Sequence, residues 1–306
     1  MKTLCFGFIA ASMVYGQTGS LAKPQIGFVF DNASHSLRRL QGLPGAAMVG
    51  SSMEFGFVPA NAYVAPRGDA AFVAGQDGSP HFLRLTSDGT ADTSIEKLAS
   101  FQNVVYSPSG AAAALISVGN IQIIKGLPNS AAIVGTLSPR VQAGRRRPLP
   151  QVLAVSDDGA YMIYATDGAL ELAATAGDSR RIADSVPGML AAFAPGTHDA
   201  ALATSDSLTL FTDLTGPATS RKFTPVAAAS SLAFAPDGRS LLIASATSHN
   251  VTALQLETGE ATALPCDCEP TSLARTGNLF RLNELGKGPL WLLDPATRNL
   301  FFVPAP

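Results

Sequence analysis

The chain has few cysteines, little charge and none of the short motifs that mark the common catalytic folds. Three cysteines in 306 residues exclude a disulfide-stapled scaffold, so apolar burial must hold the fold together. Charged residues are 14% of the chain, well under the usual ~25%, which means that much of it is covered on more than one side. A formal net charge of −2 excludes the basic excess of a general nucleic-acid binder. No GxSxG, phosphate-binding loop, dinucleotide fingerprint or HExxH occurs. After the first residues, no apolar run approaches the roughly 20 positions that a membrane-spanning helix requires.

The first residues have the layout of a secretory signal. Met1-Lys2-Thr3 is a short positive start, Leu4 to Val14 is apolar apart from Ser12, and Val14-Tyr15-Gly16 offers small or modest side chains for cleavage. The apolar run is about half of what a spanning anchor needs. This predicts a signal peptide over residues 1–16 and a domain over 17–306. The domain is expected outside the cytoplasm, periplasmic or secreted, without a transmembrane segment.

A repeat organises the rest. A short apolar strand, a Pro/Asp/Gly turn and a second apolar strand recur from Ala62, Val104, Leu153, Ala192 and Leu232 and, in degenerate form, from Ser272. The turns fall at Gly68, Gly110, Gly159, near His198, at Gly238 and at Gly277, spacings of 42, 49, 39, 40 and 39 residues. A four-stranded propeller blade takes about 40–45 residues. Proline sets φ at the first corner of each turn, and glycine supplies positive φ. Third and fourth strands follow at Val251 to Leu256 and Ala261 to Leu264, and again at Leu290 to Asp294 and Asn299 to Val303. Alanine-rich segments such as Leu190 to Leu202 compete as helices, but proline and glycine interrupt them too early. The fold is therefore predicted to be all-β, a single β-propeller of four-stranded antiparallel blades. Length favours seven blades, with six as the alternative. The seventh would come from the N-terminal stretch, with Gly27 to Asp31 and Ser36 to Leu40 as its outer two strands and Ala46 to Val49 and Phe55 to Phe57 completing it.

The segment Leu232 to Leu264, with Ala235-Pro236-Asp237-Gly238 at its turn, resembles a repeat of the YVTN/WD40-like bacterial propellers. The literal Tyr-Val-Thr-Asn string and the Trp-Asp endings of WD40 blades are absent. The resemblance implies a propeller and an extracytoplasmic setting. It implies no particular activity, because the fold hosts binding proteins, scaffolds and enzymes alike.

Cys266-Asp267-Cys268-Glu269 is the most unusual local feature. Cys5 falls in the signal, so Cys266 and Cys268 are left as a disulfide or thiol pair, a redox pair or part of a soft-metal site. A mononuclear metal normally takes three or four ligands, and no histidine is near in sequence. Arg145, Arg146 and Arg147 lie in the longest blade interval, on an inserted loop from Pro139 to Pro150. They form a candidate anion-binding loop or, more simply, a solvated run. His35, His81, His198 and His249 match no metal spacing, although a propeller can bring distant residues together at its channel.

No catalytic residue, metal or cofactor is assigned from these patterns. The leading reading is an exported, non-catalytic binding or scaffold module that takes a protein or small-molecule ligand on one rim. The alternative is a lactone- or sugar-acting hydrolase with its site at the channel mouth. Two or more carboxylates converging there with a His or Asn would favour the enzyme. A lining of Ala, Ser and Val would count against it.

Overall fold

Each apolar–turn–apolar phrase folds into an antiparallel hairpin. In the computed structural model, which describes residues 24–86, 89–138, 151–166, 168–286 and 288–305, these hairpins belong to twenty-seven strands, β1 to β27. The hairpins are β4–β5 (Pro59–Val64, Ala70–Gly75), β8–β9 (Asn103–Tyr106, Ala112–Ser117) and β12–β13 (Gln151–Val155, Tyr161–Thr166). Then come β16–β17 (Leu190–Phe193, Ala200–Ala203), β20–β21 (Ser231–Phe234, Ser240–Ser245) and β24–β25 (Ala274–Thr276, Leu279–Arg281). Each continues into a third and a fourth strand, giving six four-stranded sheets. A seventh sheet precedes them: β1 (Gln25–Asp31), β2 (Ser36–Gln41) and β3 (Met48–Ser52). These are the seven blades of a propeller, numbered 1 to 7 along the chain, and the described residues contain no helix. The expected signal peptide and the loop bearing Arg145, Arg146 and Arg147 lie outside the described residues.

The turn chemistry is as the repeat predicts. Gly68, Gly110, Gly159, Gly238 and Gly277 all have positive φ, between 62° and 74°. In blade 5 the positive φ falls on Gly196 rather than at His198, directly after Pro195. Gly110 is the most constrained of these corners. A Cβ there would also come within 2.9 Å of Pro66 Cδ in the preceding blade.

Burial explains the low charge. The core divides into seven clusters, and each joins two neighbouring blades. Along β9, Ala113 and Leu115 pack toward blade 2, whereas Ala112, Ala114 and Ile116 pack toward blade 4. Strand alternation survives, but both faces are apolar because both are covered.

Blade 1 differs from the rest in direction. The innermost strands β4, β8, β12, β16, β20 and β24 all run toward the face that carries the hairpin glycines. β1 starts at that face, where a side chain on Gly27 would strike Thr276 and where Gly68 lies against Gly27 and Phe28. It ends at the opposite face, where Asp31 pairs parallel with Leu285 in the loop after β25. Hence β1, β2 and β3 correspond to the second, third and fourth strands of a blade. This corrects the placement of Gly27 to Asp31 and Ser36 to Leu40 as an outer pair, since β1 forms the inner edge of its sheet. Phe55 to Phe57 forms no strand. Its place in the sheet is taken by β3, which pairs with β2, and Phe57 instead stacks on His81, with ring centroids 3.7 Å apart. At the centre, Gly277 N donates to Pro66 O at 2.8 Å, joining the inner hairpins of blades 7 and 2 directly.

Phe72, fully buried against Phe82, Phe101 and Tyr106, anchors the interface of blades 2 and 3. Phe72→Ala should cost about 3–5 kcal/mol, read as a lower midpoint in urea unfolding. A loss below about 1 kcal/mol would mean that this interface does not hold the ring.

Candidate functional site

The inner strands surround a central channel of about 520 Å³. Its walls are mainly apolar, with Val64, Val155, Ala192, Phe193, Ala233 and Phe234 representative. Three ionised side chains line it: Arg275, Arg281 and Glu284.

The hairpin face of the channel is stitched shut from blade to blade. Asp157 Oδ1 accepts from Ser109 N at 2.7 Å and Ser109 Oγ at 2.6 Å, and its Oδ2 accepts from Gly196 N at 2.8 Å, so one carboxylate ties blades 3, 4 and 5. Arg275, in β24, extends from blade 7 across the mouth and donates from Nη1 to Pro108 O of blade 3 at 3.1 Å. Its Nε donates to Gly277 O at 2.8 Å, which holds the guanidinium plane. Burial pulls the Arg275 pKa below the ordinary arginine value, Asp157 works against that, and Arg67 adds to it.

The opposite face stays open and polar. Asn32, Asn61, Arg281 and Glu284 surround this mouth. Arg281 Nη2 pairs with Glu284 Oε1 at 3.1 Å, while Arg281 Nε is buried without a partner among the described residues. Asp31 braces the rim beside it. Its carboxylate accepts from Ser34 Oγ at 2.6 Å, Arg38 Nε at 2.8 Å and Ala33 N at 3.0 Å. The Ser34 hydroxyl bond is the chief cause that lowers the Asp31 pKa; burial opposes it, and the amides of Ala33 and Ser34 and the Arg38 guanidinium add to the lowering.

The sequence-predicted candidates lie elsewhere. Cys266 and Cys268 are joined by a disulfide, Cα atoms 5.1 Å apart, in the buried cluster between blades 6 and 7. His249 holds the bridged loop from beside it: Nδ1 lies 2.8 Å from Cys268 O, and Cys266 N donates to His249 O at 2.9 Å. No histidine lines the channel. Among the described residues no three His, Cys, Asp or Glu side chains gather as a metal site.

One constellation escaped sequence reasoning. Ser79 Oγ lies 2.9 Å from His81 Nε2, and His81 Nδ1 lies 2.8 Å from Asp92 Oδ2, the connectivity of a Ser–His–Asp triad. Its protons are in the wrong places for attack. Ser79 Oγ donates to Asp77 Oδ1, so Nε2 must donate to the serine rather than accept from it. The Ser79 amide, a natural oxyanion donor, is also bound to Asp77, at 3.0 Å. The residues fall on a loop and two paired strands, 79, 81 and 92, a spacing with no signature of its own.

No family model matches the chain, and no curated protein matches it. Solved structures share the fold. A candidate 6-phosphogluconolactonase from Bacteroides uniformis matches with TM-score 0.59 and 13% identity, over 91% of this chain and 94% of that one. A functionally unknown protein from Desulfotomaculum acetoxidans gives 0.58 and 11% identity, over 92% and 100% of the two chains. Apo AztD from Citrobacter koseri gives 0.56 and 12% identity, over 91% and 94%. Likeness at these identities establishes the propeller and nothing about activity.

The Asp31 network makes stability depend on acid. A folded pKa below the unfolded value of about 3.9 contributes stability above that value, and the contribution is lost as pH falls through the folded pKa. Asp31→Asn should therefore unfold more easily than the parent by about 1–3 kcal/mol at pH 7. The gap should shrink below about pH 4, and a gap unchanged at pH 3 would refute the assignment. Thiol titration of the denatured chain after signal cleavage should find no free thiol before reduction and one from each of Cys266 and Cys268 afterwards. Reaction before reduction would argue against the bridge.

Proposed function

We propose that the chain is an exported, non-catalytic binding module whose ligand enters the channel from its open, polar face. The observation that carries this is the makeup of the channel. Six inner strands contribute apolar side chains, and the single lining carboxylate, Glu284, is paired with Arg281. Lactone or glycoside hydrolysis would need at least two groups placed for acid–base or nucleophilic work. A closed floor, apolar walls and a few polar groups at the rim are the usual makeup of a small-molecule site. Export is supported by the sequence of residues 1–16 and accords with the Cys266–Cys268 bridge, which suits an oxidising compartment.

A hydrolytic reading has one observation in its favour, the Ser79–His81–Asp92 connectivity on the outer part of blade 2. It would require Ser79 to leave Asp77 and turn its proton toward His81.

One experiment separates the two. The purified chain should fail to hydrolyse 6-phosphogluconolactone, p-nitrophenyl acetate and p-nitrophenyl glycosides, and should not be labelled by a fluorophosphonate. Apolar probes should raise its melting temperature. Turnover lost on Glu284→Gln, or labelling lost on Ser79→Ala, would replace the binding reading with an enzyme at the corresponding place.

A further inference from the structure

Arg275 is a cation at the closed end of an apolar well. It is half-buried, and no carboxylate of the described residues lies within ion-pairing distance of it. Its two hydrogen bonds, from Nε to Gly277 O and from Nη1 to Pro108 O, use two of the five N–H donors of a guanidinium. The acceptors are neutral carbonyls, so the charge itself stays uncompensated. Asp157 is the nearest acidic group that acts on Arg275, but its oxygens are taken by Ser109 and Gly196. The next cation, Arg67, is already engaged by Asp69 at 2.7 Å and by Leu127 O at 2.9 Å. The hairpin end of the channel thus carries net positive charge with unused donors. At the other end, Arg281 and Glu284 cancel each other.

A partly desolvated charge without a counter-ion is costly, and structures normally pair it or leave it to a ligand. Here the guanidinium is fixed in orientation across the floor, and the space in front of it is lined by Val155, Phe193, Ala233 and Phe234. A simple inorganic anion would gain the charge but leave the apolar walls unused. A neutral apolar molecule would cover the walls and leave the charge unmet. A molecule with an apolar body and one terminal anionic group satisfies both.

We infer that the channel binds an amphiphilic organic anion, head first, with its anionic group on Arg275 and its apolar body along the inner strands. This rests on the channel being a binding well, and it adds the chemical class of ligand. A planar carboxylate suits a guanidinium through parallel N–H···O bonds. The volume of about 520 Å³ falls within the range of small-molecule sites.

The test uses three probes of equal chain length: decanoate, 1-decanol and decyltrimethylammonium. Binding to the full chain would be followed by calorimetry and by the shift in melting temperature. Decanoate should bind at least ten-fold more tightly than 1-decanol, and the ammonium probe more weakly than either. Arg275→Gln should bring decanoate down to the level of 1-decanol, and Arg275→Lys should keep part of the preference. Arg281→Gln, at the far mouth, should leave the ranking unchanged. The probe ranking on the unaltered chain decides the matter even if Arg275→Gln fails to fold. Equal binding of decanoate and 1-decanol overturns the anion site and leaves the apolar well standing. Absence of binding by all three overturns both.

Discussion

Every feature of this molecule depends on the burial of both faces of each sheet against its neighbours. A lone four-stranded blade exposes two apolar faces and has no reason to stay folded. In the ring each face finds a partner, which is why the core consists of seven interblade clusters rather than one central mass. The cost of a missing partner would fall on two blades at once. Stability is therefore a property of ring closure, and the closing seam between blades 7 and 1 carries as much weight as any blade.

Alanine matters for the same reason. Blades converge toward the axis, so inner strands have less room between them than outer ones. β17 reads Ala200-Ala201-Leu202-Ala203 and is buried throughout, while the outer strand β19 (Thr219–Phe223) is exposed over four of its five residues. Phenylalanines occupy the wider space farther out, as Phe72 and Phe82 do between blades 2 and 3. A helical reading of the alanine-rich segments fails because their small side chains answer a sheet-spacing requirement rather than a helical propensity.

The fold was legible because its signal is local and repeated. Each corner of the Gly68 or Gly238 type lies within a dozen residues of the strands it joins, and repetition adds to its weight. The place of blade 1 was less legible, because a hairpin between second and third strands looks the same in sequence as one farther out. Only the neighbours of β1, Thr276 and Leu285 near the other end of the chain, tell them apart. The channel was not legible at all. Arg275 appeared as one residue of a degenerate repeat, and nothing in its surroundings in sequence hints that it meets Pro108, 167 positions away. Asp157 likewise looked like turn chemistry, although its partners come from two other blades. The cysteine pair was legible because a bridge two residues apart is a local matter.

The direction of β1 and the shape of the channel are linked. Seven blades surround the axis, yet only six inner strands among the described residues run toward the hairpin face, and the hairpins of blades 7 and 2 close on each other there. The inner ring is thus narrower at that face than seven full blades would make it, narrow enough for one arginine side chain to cross. At the other face, β1 delivers Phe30 and Asn32 to the lining, and the loop after β25 leans out to pair with Asp31. That mouth is held apart by a whole blade edge. A ring of identical blades would leave a pore open at both ends. The odd blade turns the pore into a well with a floor, and a floor is what lets a fixed charge act on a ligand from a single direction.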